Sequence, residues 1–319
     1  MLPARRYLLT VAGSRRNISY FMTHIAIIGA GAIGQALAHI LKPKEQVAIF
    51  MYDKDPAKIT RSALLLPEAV ASADVVFLCV PSWAMREAVF EMKLHLKRDA
   101  ILVSLAKGIE GVSKKTMDAL LKELCPTHKM AILGGPMLAA EFMADLPGVG
   151  CLATEQSGVE KLVKELFADT LLSLKSSTDV RGVALSGVLK NIYALGLGIA
   201  QGLSWGNNQK GWYVTNALSE MADIVELFGG KRETAYGLSG VGDLVATGFS
   251  PYSRNNHFGE KLVMTGVCNI KSEGNASLPA LSRLLKKPRA VFPLLETLED
   301  VILRGANAKE RFPQCMARA

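Results

Sequence analysis

The chain has 319 residues, of which 50% are hydrophobic and only 7% aromatic, enough for about two domains with aliphatic cores. Its formal charge of +8 suits anionic ligands in general, but no basic block interleaved with aromatics and no zinc-finger spacing points to nucleic acid. No run of 18 or more uninterrupted apolar residues occurs, so no membrane-spanning helix is predicted.

Residues 1–21 carry Arg5, Arg6, Arg15 and Arg16 and no acid, and without those four the balance falls to +4. This basic N-terminal extension suits a transit peptide superficially. A start codon placed too early explains it better, because Met22 immediately precedes the first strand-like run. The five cysteines, at 79, 125, 151, 268 and 315, are scattered with no C-x-x-C, which reads as a reduced intracellular protein rather than a disulfide scaffold.

From Thr23 onward, short apolar runs alternate with amphipathic stretches. The runs are 24–29, 46–52, 74–80, 100–106 and 130–135, and 150–154 and 170–177 are candidates to extend the series. Continuous runs of this kind predict strands buried on both faces, as in a parallel sheet. Helices are predicted between them, including Ile33–Leu41 and Lys114–Leu124. Alternating β and α elements give a doubly wound sheet. After about Asp179 the texture changes. Residues 183–203, 213–229, 280–287 and 292–305 have helical spacing, and no convincing parallel-strand run follows. The expected organisation is an α/β domain over 22–178 and an all-helical domain over 179–319, packed directly, with a ligand cleft between them.

Two motifs carry chemistry. Gly29-Ala30-Gly31-Ala32-Ile33-Gly34 is G-x-G-x-x-G between a buried run and a helix, with Asp53 nineteen residues after Gly34. The glycines permit a tight turn, close approach to a pyrophosphate and helix–strand packing, so a Rossmann-type dinucleotide site is predicted. Asp53 can hydrogen-bond a ribose 2′-OH, which favours NAD, although Lys54 lies beside it and NADP stays open. Asp53 reads equally as a surface turn residue. The second motif is Gly237–Gly259, in which Asp243 stands in a glycine-rich setting and Ser253-Arg254-Asn255 offers anion-binding donors. By itself this reads equally as a helix-capping loop beside a solvated turn.

Two lysines occupy unusual contexts. Lys107 ends an apolar run at the carboxyl end of a strand, where open α/β sheets bind ligands. Lys190 sits inside the small-residue helix 183–203. Such lysines are functional, or they snorkel to solvent.

The segment GLSGVGDLVATGFSPYSRNNHFG, with Lys107-Gly108 and Gly187-Val188-Leu189-Lys190-Asn191, resembles the signature of NAD(P)-dependent sn-glycerol-3-phosphate dehydrogenases. The resemblance runs from Met22 to about Arg311. It implies hydride transfer between nicotinamide and C2 of a phosphorylated three-carbon substrate, in the cytoplasm, for phospholipid synthesis. A homodimer is compatible with it. Lys190 would be the general acid/base, Lys107 a second cation, and Asp243 the group that orients Lys190. Ser253, Arg254 and Asn255 would hold the phosphate, with Gly135 also at the substrate. Around the cofactor the resemblance places Gly29, Gly31, Ala32, Ile33, Gly34, Tyr52, Asp53, Lys107, Ala139, Arg254 and Glu273.

Some positions depart from the family pattern. Met137 replaces a hydroxyl residue, Ala184 a Glu, Gln201 an Asp and Asn216 an Arg. These changes are expected to cluster near the reacting carbon. They leave open a related hydroxyacid or phosphoalcohol dehydrogenase, or a non-catalytic dinucleotide-binding protein.

Overall fold

The computed structural model describes residues 22–59, 65–285 and 291–317, so the basic extension lies outside the described residues. Seven strands form one sheet: β1 Thr23–Ile28, β2 Val47–Tyr52, β3 Val75–Leu78, β4 Ile101–Ser104, β5 Lys129–Gly134, β6 Gly148–Ala153 and β7 Leu172–Ser177. Their spatial order is β2-β1-β3-β4-β5-β6-β7. All neighbours pair in parallel except β5 and β6, so β6 and β7 run against the other five.

The apolar runs are continuous because both faces of the sheet are covered. Ile25, Ile27, Val75, Phe77, Val103 and Leu133 point to one side and pack with Leu37 and Ile40. Ala26, Ile28, Val76, Leu78, Leu102 and Ile132 point to the other and pack with Met85, Val89 and Leu120. This is the period-two side-chain alternation of a strand, with apolar residues at both phases.

Among the described residues no strand follows Ser177. The helix Val180–Gly202 forms the axis of the second half. Asp179 caps it by accepting the Gly182 N–H at 2.9 Å. Every residue from Gly182 to Ala200 is buried. The helix is long and apolar enough to cross a membrane, but its apolar stretch is enclosed entirely by the rest of the fold. The helix Arg254–Thr265 lies against it almost backbone to backbone. A Cβ on Gly198 would sit 1.9 Å from the Asn256 carbonyl oxygen, and one on Gly259 would sit 2.0 Å from that of Leu195. This close approach brings Ser253–Asn255 toward Lys190. A buried carboxylate, Glu220, caps the helix Pro293–Leu303 by accepting Leu294 N–H at 2.7 Å and Leu295 N–H at 3.0 Å. Tyr193 Oη also donates to Glu220, at 2.7 Å.

Several boundaries differ from the sequence expectation. The helix expected from Lys114 begins at Met117. Lys114 has φ +56°, and Thr116 pairs with Ile109 in an isolated bridge, so the backbone ahead of Met117 is already committed to a turn. The helix expected over 213–229 spans Asn207–Leu227, and that expected over 280–287 spans Glu273–Leu284, with residues 286 and 287 outside the described residues. The segment 237–259 is more ordered than a loop. It contains a π-helical turn Leu238–Gly242, the helix Asp243–Gly248 and the start of Arg254–Thr265.

Candidate active site

The turn after β1 is shaped by its glycines. Gly29 has φ +103°, and a Cβ there would lie 2.8 Å from the backbone of Cys79 and Val80. A Cβ on Gly34 would lie 2.0 Å from the Gly29 carbonyl oxygen. Gly31 is different, since nothing comes within 4 Å of its would-be Cβ. That open space lies at the N-terminus of the helix Ala32–Leu41, which has no side-chain cap and no acid in its first turn. Unpaired first-turn amides therefore face it, and the cradle fits a pyrophosphate.

Asp53 follows Tyr52 at the carboxyl end of β2. Its Oδ2 accepts Ala30 N–H at 2.8 Å, and its Oδ1 accepts Asp55 N–H at 2.9 Å and approaches Lys58 Nζ at 3.4 Å. The carboxylate thus pins the glycine turn to the end of β2. Oδ2 keeps a lone pair that a ribose hydroxyl could use.

A second group of residues lies where β4 and β5 meet the helical half. Lys107 Nζ donates to the Gly135 carbonyl at 2.8 Å and to Asp243 Oδ2 at 2.6 Å. Lys190 Nζ lies 2.9 Å from Asp243 Oδ1 and donates to Thr247 Oγ1 at 2.7 Å. Thr247 Oγ1 in turn donates to Asp243 Oδ1 at 3.1 Å. Asp243 is 2% exposed and Lys190 5%. The π-helical turn ahead of Asp243 is a local departure from α geometry of the kind often found at functional positions.

The electrostatics follow from this burial. Desolvation lowers the Lys190 pKa from 10.5 to about 8; Asp243 opposes the shift and Lys107 adds to it. For Asp243, burial pushes the carboxyl up, but the two ammonium groups, Lys107 first, outweigh it and hold the pKa below its ordinary value. The result is one carboxylate shared by two cations, one of which can lose its proton near neutral pH.

Amide side chains brace this cluster. Asn191 Nδ2 donates to the Lys107 carbonyl at 2.8 Å, and Asn255 Nδ2 donates to Asn191 Oδ1 at 2.8 Å. Asn255 Oδ1 accepts Gly274 N–H at 3.0 Å. Beside Gly274, Glu273 accepts Ser82 N–H at 2.8 Å and Ser82 Oγ–H at 2.5 Å.

Family models described as the N-terminus and C-terminus of NAD-dependent glycerol-3-phosphate dehydrogenase match residues 62–159 and 179–312. A glycerol-3-phosphate dehydrogenase [NAD(P)+] of Clostridium tetani is 32% identical over 323 residues, with 92% of each chain covered. One from Agrobacterium fabrum is 33% identical, covering 92% of this chain and 97% of its own. The crystal structure of glycerol-3-phosphate dehydrogenase from Coxiella burnetii superposes with a TM-score of 0.84 at 26% identity, covering 93% of this chain and 99% of that one. The chain belongs to the NAD-dependent glycerol-3-phosphate dehydrogenase family.

The remaining residues singled out by the family resemblance fall into two groups. Ser253 is buried and caps the helix Arg254–Thr265, its Oγ accepting Asn256 N–H at 3.1 Å. Arg254 opens that helix with an exposed side chain that has no polar partner among the described residues. Asn255 is engaged in the amide bracing above and keeps one N–H. Tyr52 and Ala139 are only partly buried, and Tyr52 lends its carbonyl to Gly29 N–H at 2.7 Å.

The departures from the family pattern each have contacts of their own. Met137 is buried in the sheet core, its sulfur directed at Gly150, and Ala184 packs in the apolar cluster with Val183. Asn216 Nδ2 donates to Trp212 O at 2.8 Å within its own helix. Gln201 is exposed and accepts from Lys210 at 2.6 Å. Three residues of the site escaped the sequence reading. Thr247 lies one helical turn after Asp243, a spacing that becomes informative only once 243–248 is read as a helix. Asn191 was noted only as part of a motif. Ser82 has no local signal, because its partner lies 191 positions away.

Proposed function

We propose that the chain interconverts dihydroxyacetone phosphate and sn-glycerol 3-phosphate with NAD(P), supplying the glycerophospholipid backbone. The observation that carries this is the Asp243 carboxylate shared by Lys107 and Lys190. Family membership supplies the substrate class.

When bound, the nicotinamide ring supplies or accepts the hydride at substrate C2. The chain's own residues do the rest. Lys190, with its pKa near 8, gives a proton to the C2 oxygen in the reducing direction and takes it back in the other. Lys107 stabilises negative charge on that oxygen and keeps the Lys190 pKa low. Asp243 and Thr247 fix the direction of the Lys190 ammonium. Arg254 and the free first-turn amides of its helix bind the phosphate. The glycine cradle and Asp53 hold the dinucleotide, with Asp53 favouring NAD through the ribose 2′-OH. Division into two domains near residue 178 and a cytoplasmic location belong to the same reading.

The test is an absorbance assay at the nicotinamide band, with dihydroxyacetone phosphate and either NADH or NADPH. Tight binding of a dinucleotide without turnover by either would sink the proposal.

A further inference from the structure

The two binding regions described above lie at neighbouring strand ends. The glycine cradle sits at the end of β1, and Lys107 follows the end of β4. Only β3 lies between them in the sheet. A dinucleotide with its pyrophosphate on Gly31 and its nicotinamide at the Lys107–Lys190 pair must therefore cross the end of β3. The chain leaving β3 passes through Cys79 and Val80, which abut Gly29, and reaches Ser82.

Ser82 is 0% exposed and begins the helix Ser82–Met92. That helix has no side-chain cap of its own and no acid in its first turn. Its cap arrives from the other half of the chain. Glu273, the first residue of the helix Glu273–Leu284, takes both the Ser82 N–H and the Ser82 hydroxyl. A carboxylate is well matched to an uncapped helix N-terminus. Gly108, adjacent to Lys107, makes room for the contact, since a Cβ there would lie 2.1 Å from Glu273 Oε2 and 2.3 Å from Ser82 Oγ. A parallel contact lies alongside, with Lys271 Nζ 4.2 Å from the centre of the Trp83 ring. Ser82–Trp83 and Lys271–Glu273 thus join the two halves at the place where the nicotinamide end of a dinucleotide must pass.

We propose that Ser82 is a positioning residue, whose hydroxyl aims the Glu273 carboxylate at the nicotinamide half of the bound dinucleotide. The proposal rests on the dehydrogenase reading above. Each Glu273 oxygen already takes one donor from Ser82, which leaves a lone pair on each for a ribose hydroxyl or carboxamide N–H. Without the Ser82 hydroxyl, Oε2 loses its partner and the carboxylate is held only through Oε1 by the Ser82 N–H, about which it can turn.

The experiment compares Ser82→Ala with wild type by fluorescence titration of NADH and calorimetric titration of ADP, alongside steady-state kinetics. ADP carries the adenosine and pyrophosphate but not the nicotinamide half. Losing a hydrogen bond to a charged group should weaken NADH by about tenfold. ADP affinity should be unchanged, and KM for NADH should rise more than kcat falls. In a Glu273→Gln background, Ser82→Ala should have a smaller effect on NADH than it has alone. Unchanged NADH affinity, or equal weakening of NADH and ADP, would overturn the proposal, the second result marking Ser82 as merely structural. If Ser82→Ala does not fold, Ser82→Cys, similar in size and a weaker donor, carries the same comparison. Failure of the wild type to bind NADH, NADPH or ADP at all would instead overturn the dehydrogenase reading.

Discussion

Lys107 and Lys190 hold opposite oxygens of a single carboxylate, at 2.6 Å and 2.9 Å from Asp243. One lysine follows the carboxyl end of the central strand β4 and the other comes from the middle of a buried helix. The pairing therefore forms only when the two halves dock, and burial there lowers the Lys190 pKa.

The pH dependence of turnover should report Lys190. Its pKa is lowered from 10.5 to about 8, chiefly by desolvation. Reduction needs the protonated amine, so its kcat should fall as pH rises through about 8. Oxidation needs the free amine, and its rate should rise over the same range. Stopped-flow or steady-state pH profiles in both directions check the sign, and Lys190→Ala should abolish both limbs along with most of the turnover.

Asp243→Asn removes the counter-charge and leaves the buried Lys190 and the partly buried Lys107 as facing cations. Breaking a buried pair in this way costs ~3 kcal/mol or more, to be read by urea denaturation at pH 7. The folded pKa of Asp243 lies below its ordinary value. Its contribution to stability is thus present above the unfolded pKa of 3.8 and lost as pH falls through the lower folded value. The variant should lack that acid-side loss.

Arg254→Ala should act on binding more than on chemistry. A lost bidentate phosphate contact corresponds to about a 100-fold rise in substrate KM, with kcat falling less. Added inorganic phosphate should inhibit the wild type competitively and the variant much less.

Stability should also vary with pH through Glu220, the buried partner of Tyr193. Burial raises its pKa from 4.5 to about 7, against the opposing hydrogen bonds from Tyr193, Leu294 and Leu295. A raised acid favours the folded state while it is protonated. That contribution is full below about 4.5 and is lost as pH rises through about 7. The whole span is worth up to ~3 kcal/mol. Denaturant midpoints at pH 5 and pH 8 should differ in that direction, and Glu220→Gln should flatten the difference.

Gly198→Ala tests the helix crossing. Its new Cβ would meet the Asn256 carbonyl at 1.9 Å, so the helix Arg254–Thr265 must move. Overpacking of this kind costs ~1–3 kcal/mol. A lower melting temperature should come with a raised substrate KM, because the residues proposed to bind phosphate ride on the displaced helix.

The sheet was legible because strands buried on both faces leave long unbroken apolar runs, and Ile25–Ile28 and Val75–Leu78 are two of them. Lys190 was legible as an ionisable group in a stretch with no polar face. The helix Asp243–Gly248 was not, since glycines at 237, 240, 242 and 248 mask its helical character and its stability comes from packing on Val180–Gly202. The surroundings of Met137, Ala184, Gln201 and Asn216 were not legible for a related reason. Sequence pattern does not say which neighbour covers a side chain: Met137 meets Gly150, Ala184 an apolar cluster, Gln201 the Lys210 ammonium and Asn216 the Trp212 carbonyl.

The enclosed helix Val180–Gly202 also bears on how the chain is made. Its strands and their helices are synthesised before it, but Arg254–Thr265, which seals its glycine face, follows by roughly fifty residues. At ribosomal speeds that is an interval of roughly 3–10 s. For those seconds the glycine face of this apolar helix lacks the partner that seals it in the folded chain. That cover arrives when Gly198 and Gly259 come together, so burial of the glycine face waits on a partner made later than the helix itself.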